Sequence, residues 1–298
     1  MQPGNYLVKG LAFDHKVRVF LVENTDLLKT ICDKPEIQSR LLKTLLGTTV
    51  TAASLLTGTL KGNQRLSMKV KASRPDWRIF ADVDSCGNIR GYLSESILEA
   101  PLGQWEELTV AQWVGGKGCL QVVKDDGMHH AFTGITDMPY SNIVDDIAHY
   151  FQQSEQTPTC LDIHISFNEK NEILRSQGIL AQLLPGAPYP MLNDIRGILD
   201  RQPRLRAASK PRTPESSKAF LSSVFADIVW IGEQPLQAYC GCSKPMFYPM
   251  LLALGEDALR RACEEGQSME MVCHVCGSKY GFELDEISGL MEWGEGPV

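Results

Sequence analysis

Hydrophobic positions along the chain switch between a period of two and a period of three to four. The run VRVFLVEN (Val17 to Asn24) is apolar and β-branched and follows the turn residues Asp14 and His15, which predicts a strand. Beyond Pro35, Ile37, Leu41, Leu45, Val50, Ala53 and Leu56 recur at helical spacing. They predict a helix from Glu36 to Leu60, stopped by Gly62-Asn63. Its small residues Gly47, Thr48, Ala52, Ser54 and Gly58 suit close packing on a sheet. Leu66, Met68 and Val70 then alternate with Ser67, Lys69 and Lys71, the pattern of a half-buried strand. WRIFADVD-SCGN-IRGYLSE and GCLQVVK-DDG-MHHAFTG each predict two strands around a short turn. Ser141 is the expected cap of a helix whose stripe is Ile143, Ile147, Tyr150 and Phe151, ending near Gln156-Thr157-Pro158. CLDIHISF alternates again, and ILRSQGILAQLLPGA predicts a strand that stops at Pro185-Gly186.

Residues 1–185 therefore predict an α+β domain, α/β-rich, with a mainly antiparallel sheet. A spacing rich in proline follows (Pro185, Pro188, Pro190, Pro203, Pro211, Pro214), and RQPRLRAASKPRTPESSK is polar and basic. Residues 186–233 are expected to be a helical linker, with one short helix before Arg201 and one over SKAFLSSVFADIVW. The apolar face of AFLSSVFADIVWI must cover something, and the first domain is the expected partner. Residues 234–298 hold two close pairs of cysteines, Cys240 with Cys242 and Cys273 with Cys276, and on that pattern predict a small zinc-binding domain with a helix over PMLLALGEDALRRACEEG.

Composition fits this division: a chain of 298 residues is long enough for two domains, and 43% hydrophobic with 22% charged residues is ordinary for a globular protein. The formal charge of −7 and a pI near 5.4 argue against nucleic acid as the main partner. MQPGNYLVKG lacks the basic and apolar regions of a secretory signal, and SLLTGTL and YPMLLAL are far short of the ~20 residues of a membrane span. A cytoplasmic location without a membrane partner is the expectation, and thiols there are kept reduced.

That context bears on nine cysteines, four of which fall in two close pairs: Cys240 and Cys242 in QAYCGCSKP, Cys273 and Cys276 in VCHVCGSKYGF. Such pairs suit a metal site, a disulfide framework or a redox device. An odd count in a reducing compartment disfavours a static framework. Zn²⁺ takes four thiolates tetrahedrally, and each short-spaced pair can supply one edge. Gly277 lets the chain turn after Cys276, and the thirty residues between Cys242 and Cys273 leave room for a helix and a return. One Zn²⁺ on Cys240, Cys242, Cys273 and Cys276 is the expectation. His274 is not expected to ligate, because the four sulfurs complete the shell. Cys263 falls on the intervening helix, and Cys32, Cys86, Cys119 and Cys160 are dispersed core or turn residues.

Other chemistry is weaker. A deaminase-like zinc site needs His-x-Glu and Pro-Cys-x-x-Cys, and neither occurs. VGGKGCL (Val114 to Leu120) lacks phosphate-loop spacing and leads to a strand. Asp82, Asp84, Asp125, Asp126, Asp145 and Asp146 come in pairs at expected solvated positions, and His129-His130 at an exposed strand start. No catalytic acid–base pair emerges, so no enzyme is predicted. A thiol–disulfide oxidoreductase would open a helix with its Cys-x-x-Cys, whereas GSKYGFEL predicts a knuckle and a strand.

The chain resembles the redox-regulated 33 kDa heat-shock chaperone family, or 33 kDa chaperonin, over nearly its whole length. Cys-x-Cys and Cys-x-x-Cys about thirty residues apart carry the resemblance most specifically. LKG (Leu60 to Gly62), IRGY (Ile89 to Tyr92), VGGKG (Val114 to Gly118), FTG (Phe132 to Gly134), SEQTP (Ser154 to Pro158) and QLLPGA (Gln182 to Ala187) match in order. The resemblance implies an ATP-independent holdase for unfolding client proteins, with a zinc-bound reduced state and an oxidised, homodimeric active state. It implies disulfides Cys240–Cys242 and Cys273–Cys276 after oxidation. The alternative is a zinc-ribbon protein binding nucleic acid or the ribosome, since Arg201, Arg204, Arg206, Lys210, Arg212 and Lys218 crowd the linker. The acidic total and the lack of aromatics among those residues speak against it.

Overall fold

The computed structural model describes residues 4–128, 130–201 and 213–294. The chain divides into two compact units, Met1–Tyr239 and Cys240–Val298. His129, Pro203, Arg204, Arg206, Lys210, Pro211 and Arg212, singled out above, lie outside the described residues.

The larger unit begins with β1 (Tyr6–Ala12), β2 (Val17–Glu23), α1 (Thr25–Cys32) and α2 (Arg40–Leu56). Next come β3 (Arg65–Lys71), β4 (Arg78–Asp84), β5 (Asn88–Leu93), the short helices α3 (Glu95–Leu98) and α4 (Val110–Val114), β6 (Cys119–Asp125) and β7 (Ala131–Asp137). It closes with α5 (Ile143–Gln153), β8 (Thr159–Phe167), β9 (Ile173–Leu183), α6 (Met191–Asp200), α7 (Pro214–Val224), β10 (Val229–Pro235) and β11 (Gln237–Ala238). One sheet has the order β10-β1-β2-β9-β8 and is antiparallel throughout. The other has the order β11-β5-β4-β3-β6-β7, with only β11 parallel to its neighbour. The expected α+β, mainly antiparallel architecture is present.

Helix α2 lies against strands of both sheets and is apolar on nearly every side. It is the one described helix long and apolar enough to cross a membrane, and 78% of its most apolar window is buried in this core. Leu7, Phe20, Val22 and Leu180 of the first sheet join Leu66, Met68, Ile79 and Leu120 of the second around it. Val8, Val19, Leu21 and Ile179, on the other face of the first sheet, meet Ile195 and Leu199 of α6, Phe220 and Leu221 of α7, and Phe225 just beyond it. Burial on both faces explains why VRVFLVE is apolar without alternation. The second sheet buries one face, hence the alternation along β3.

Several boundaries differ from expectation. Helix α2 starts at Arg40, because Ser39 caps it by accepting from Leu41 N–H (3.2 Å), and a 3₁₀ turn (Thr57–Thr59) ends it before Gly62. Asn142, not Ser141, caps α5, its Oδ1 accepting from Val144 N–H (3.0 Å). The helix expected to reach Trp230 stops at Val224, and the β-branched residues beyond it form β10, an edge strand on β1. Asp146 is not solvated: it is fully buried and accepts from the backbone N–H groups of Tyr140 (3.0 Å) and Asn142 (2.9 Å). Asp82 is ion-paired with Arg90 (2.8 Å), and Asp84 accepts from the turn N–H groups of Cys86 and Asn88.

The smaller unit holds a 3₁₀ turn (Lys244–Phe247), α8 (Tyr248–Leu252), α9 (Glu256–Glu264), the hairpin β12 (Met269–Val272) and β13 (Lys279–Phe282), and α10 (Leu284–Gly294). The single helix expected over Pro249–Gly266 is two, broken at Gly255, whose φ of +88° a helix cannot include. Its core is small: Phe247, Leu251, Leu259, Cys273, Phe282 and Ile287.

Candidate metal centre

Cys240 and Cys242 flank Gly241, which adopts a positive φ of 69° and folds the Cys-Gly-Cys segment back on itself. Cys273 and Cys276 occupy the β12–β13 turn. There Gly277 N–H donates to Cys273 O (2.7 Å), Cys273 N–H donates to Ser278 O (2.8 Å), and Gly277 takes a φ of 77°. The two glycine-dependent turns bring all four Sγ atoms within 4.8 Å of one another. Close contacts run between the motifs, 3.6 Å for Cys240–Cys273 and 3.3 Å for Cys242–Cys276. Because every pair of sulfurs is this close, proximity does not select a disulfide pairing.

The donor set fits a thiophilic divalent ion. Four sulfurs at ~2.3 Å from a central Zn²⁺ stand about 3.8 Å apart along each tetrahedral edge. The spacings of 3.3 and 3.6 Å fall just short of that value and the remaining pairs lie within 4.8 Å, so small side-chain rotations suffice. Cys273 is buried, Cys240 and Cys242 are half-buried and Cys276 is exposed.

The electrostatics of the thiols are uneven. Burial, followed by the neighbouring Cys273 thiol, pushes Cys240 up to about 12, and burial also raises Cys242. For Cys276, burial opposes ionisation, yet the hydroxyl and backbone N–H of Ser278 together with the Cys242 and Cys273 thiols bring it down to about 6. Cys276 is thus the thiol most readily ionised, while Cys240 and Cys242 hold their protons more tightly, and a bound cation would displace those protons. Hydroxyls are at hand. Cys276 Sγ is 3.1 Å from Ser278 Oγ, and Cys242 Sγ is 3.0 Å from the Tyr280 hydroxyl, which also donates to Cys242 O at 3.1 Å. That contact with Cys242 raises the Tyr280 phenol to about 12.

Ser278 and Tyr280 were not singled out by sequence reasoning. Their signal was alternation along the strand after Cys276, which turns Tyr280 inward with Phe282. His274 is exposed and stands outside the four-sulfur group. Cys263 lies on α9, half-buried, with Sγ 3.5 Å from Ser288 Oγ. Of the linker cations that are described, Arg201 follows the last turn of α6 and Lys218 pairs with Glu233. Loop Val114–Gly118 leads into β6, and its Lys117 N–H donates to Ser73 Oγ (2.7 Å).

The protein thus joins a two-sheet α+β unit to a small unit whose four thiols could hold a metal ion. The family model described as Hsp33 protein matches residues 5–283. The 33 kDa chaperonin of Bacillus subtilis (strain 168) is 33% identical over 295 residues, covering 97% of this chain and 98% of that protein. That of Halalkalibacterium halodurans is 30% identical over 291 residues, with coverage of 97% and 99%. The crystal structure of the 33 kDa chaperonin (heat shock protein 33 homolog) of Thermotoga maritima has the same fold, with a TM-score of 0.81 at 24% identity over 97% of this chain and 98% of that one. The chain belongs to the Hsp33 family. Its relatives carry the name of a chaperone, not of an enzyme.

Proposed function

We propose that this protein is a redox-regulated, ATP-independent holdase of the cytoplasm that binds unfolding proteins after oxidation. The observation that carries the proposal is the four-sulfur cluster, with all Sγ atoms within 4.8 Å and one thiol held acidic. In the reduced state Cys240, Cys242, Cys273 and Cys276 hold one Zn²⁺ as thiolates. Hydrogen peroxide takes two electrons from each pair of thiolates and, with two protons from solvent, gives a disulfide and two waters. The pairs formed are Cys240–Cys242 and Cys273–Cys276, as in the family resemblance. Two disulfides leave no thiolate for the metal, which departs.

The segment carrying α7 and β10 runs directly into Cys240. Phe220 and Leu221 of α7 and the following Phe225 cover Val8, Val19 and Leu21, so its release would bare the apolar outer face of the first sheet to clients. A homodimer is the active form. The test is aggregation of a heat-unfolded client with and without peroxide, with zinc measured in parallel. Suppression only after oxidation, with loss of one zinc per chain, is expected. Equal activity of the reduced, zinc-loaded protein would refute the proposal.

A further inference from the structure

Arg18 occupies a position that the pattern of β2 reserves for an apolar side chain. Phe20 and Val22 face the core between the sheets, while Val17, Val19 and Leu21 face the opposite side. Alternation puts Arg18 on the inter-sheet side, opposite Gln182 of β9. There it lines a cavity of about 320 Å³ beyond the carboxy-terminal end of α2, together with Leu60, Phe132, Phe151 and Gln182. Its Nε is buried without a hydrogen bond, and the guanidinium has no ion-pair partner among the described residues.

The carboxylates at the same cavity are engaged elsewhere. Glu155 pairs with Lys124 (2.5 Å) and accepts from the Tyr150 hydroxyl (3.1 Å). Asp125 and Asp126 accept from the backbone N–H groups of Gly127 and Met128, at 2.8 and 2.7 Å. Burial lowers the pKa of Arg18, and no carboxylate acts to raise it again. A partly desolvated guanidinium without a directly paired carboxylate is unfavourable, and a bound anion in contact with it would reduce the penalty.

We propose that this cavity binds a small organic monoanion, a carboxylate carrying a short apolar body. A guanidinium without an ion-pair partner presents a fork that matches a carboxylate, and the three acids lining the same cavity disfavour a second negative charge on the ligand. Leu60 and Phe151 supply apolar wall, and Phe132, 68% exposed, would be covered by the ligand's body. The volume is at the lower end of ligand pockets, ~300–1,000 Å³. The same chemistry is offered by a free arylalkyl acid and by the carboxy terminus of a peptide ending in phenylalanine.

The Arg18 Nε–H resonance of the reduced, zinc-loaded full chain reports on both. It is titrated with phenylacetate, with its neutral analogue phenylacetamide, and with a Phe-terminated tripeptide bearing either a free or an amidated carboxy terminus. Saturable movement of the resonance with a carboxylate, and none with its amide, is expected, and the carboxylate that binds identifies the source. Arg18→Gln should weaken binding about tenfold or more, the factor that ~1.4 kcal/mol represents. Phe132→Ala, at an exposed position that folding does not need, should weaken it less. Without ligand, Arg18→Gln should leave the melting temperature unchanged or raise it, whereas a purely structural arginine would lower it. No saturable shift with either carboxylate, or equal affinity for carboxylate and amide, overturns the assignment even if the variant does not fold.

Discussion

Tyr280 shows how one hydroxyl can set the behaviour of a thiol. Its hydroxyl lies within hydrogen-bond reach of both Sγ and O of Cys242, and its ring packs against Phe247 at a 33° tilt with centroids 4.9 Å apart. A hydrogen bond to a thiolate withdraws charge from sulfur and fixes its direction, and loss of such an outer partner typically weakens metal binding ~10–100-fold. Tyr280→Phe keeps the ring contact and removes only the hydroxyl. The expected result is zinc affinity at least about tenfold lower by chelator competition, and faster alkylation of Cys242. Unchanged affinity would show that the hydroxyl serves the backbone alone. The cysteines were legible in the sequence because ligand spacing is a local property. Tyr280 was less so, since its role depends on which way the hairpin turns its side chain. Asp146 was misjudged for a related reason: a carboxylate on a helix looks solvated until its loop supplies two backbone donors.

Elements were legible where the pattern had a single cause. Helix α2 was found because apolar residues recur along it, and its small residues signalled close packing, but Ser39 and the 3₁₀ turn set ends that periodicity does not encode. The helix expected over SKAFLSSVFADIVW takes in the first two residues of β10, Val229 and Trp230, because pairing with β1, more than two hundred residues away in sequence, is invisible to a local pattern. The IRGY stretch has a similar long-range meaning. A Cβ on Gly91 of β5 would stand 2.3 Å from Val50 Cγ2 of α2, so glycine is required for the helix to approach the sheet. Gly91→Ala should destabilise the larger unit by about 1–3 kcal/mol in urea unfolding, the range for an overpacked core. Combining it with Val50→Ala should recover at least about 0.5 kcal/mol relative to the sum of the single changes, because the clashing methyl is gone. Strict additivity would place the strain elsewhere.

At the scale of the molecule, the two units differ in what holds them together. The larger has two apolar cores, one on each face of its first sheet. The smaller is centred, among the described residues, on one cluster of six buried side chains that includes Cys273, and such a core rarely supplies more than about 3–5 kcal/mol. Zinc bound to thiolates contributes roughly 10–16 kcal/mol to folding a site of this kind. Under the proposed function the metal contribution would dominate, so its removal should unfold the carboxy-terminal unit and spare the rest. Disulfides Cys240–Cys242 and Cys273–Cys276 would close loops of a few residues, restrict the unfolded chain little, and fail to replace the ion. Peroxide with mild heat should activate more completely than peroxide alone, because α7 must also leave the apolar face it covers. Circular dichroism, zinc release and hydrogen exchange followed together during oxidation check this coupling. Amides of β12, β13 and α9 should lose protection as zinc leaves, and those of α2 and β9 should keep it. Slow exchange in β12 and β13 after all the zinc has gone would mean that the apolar residues suffice, and that oxidation acts on clients by another route.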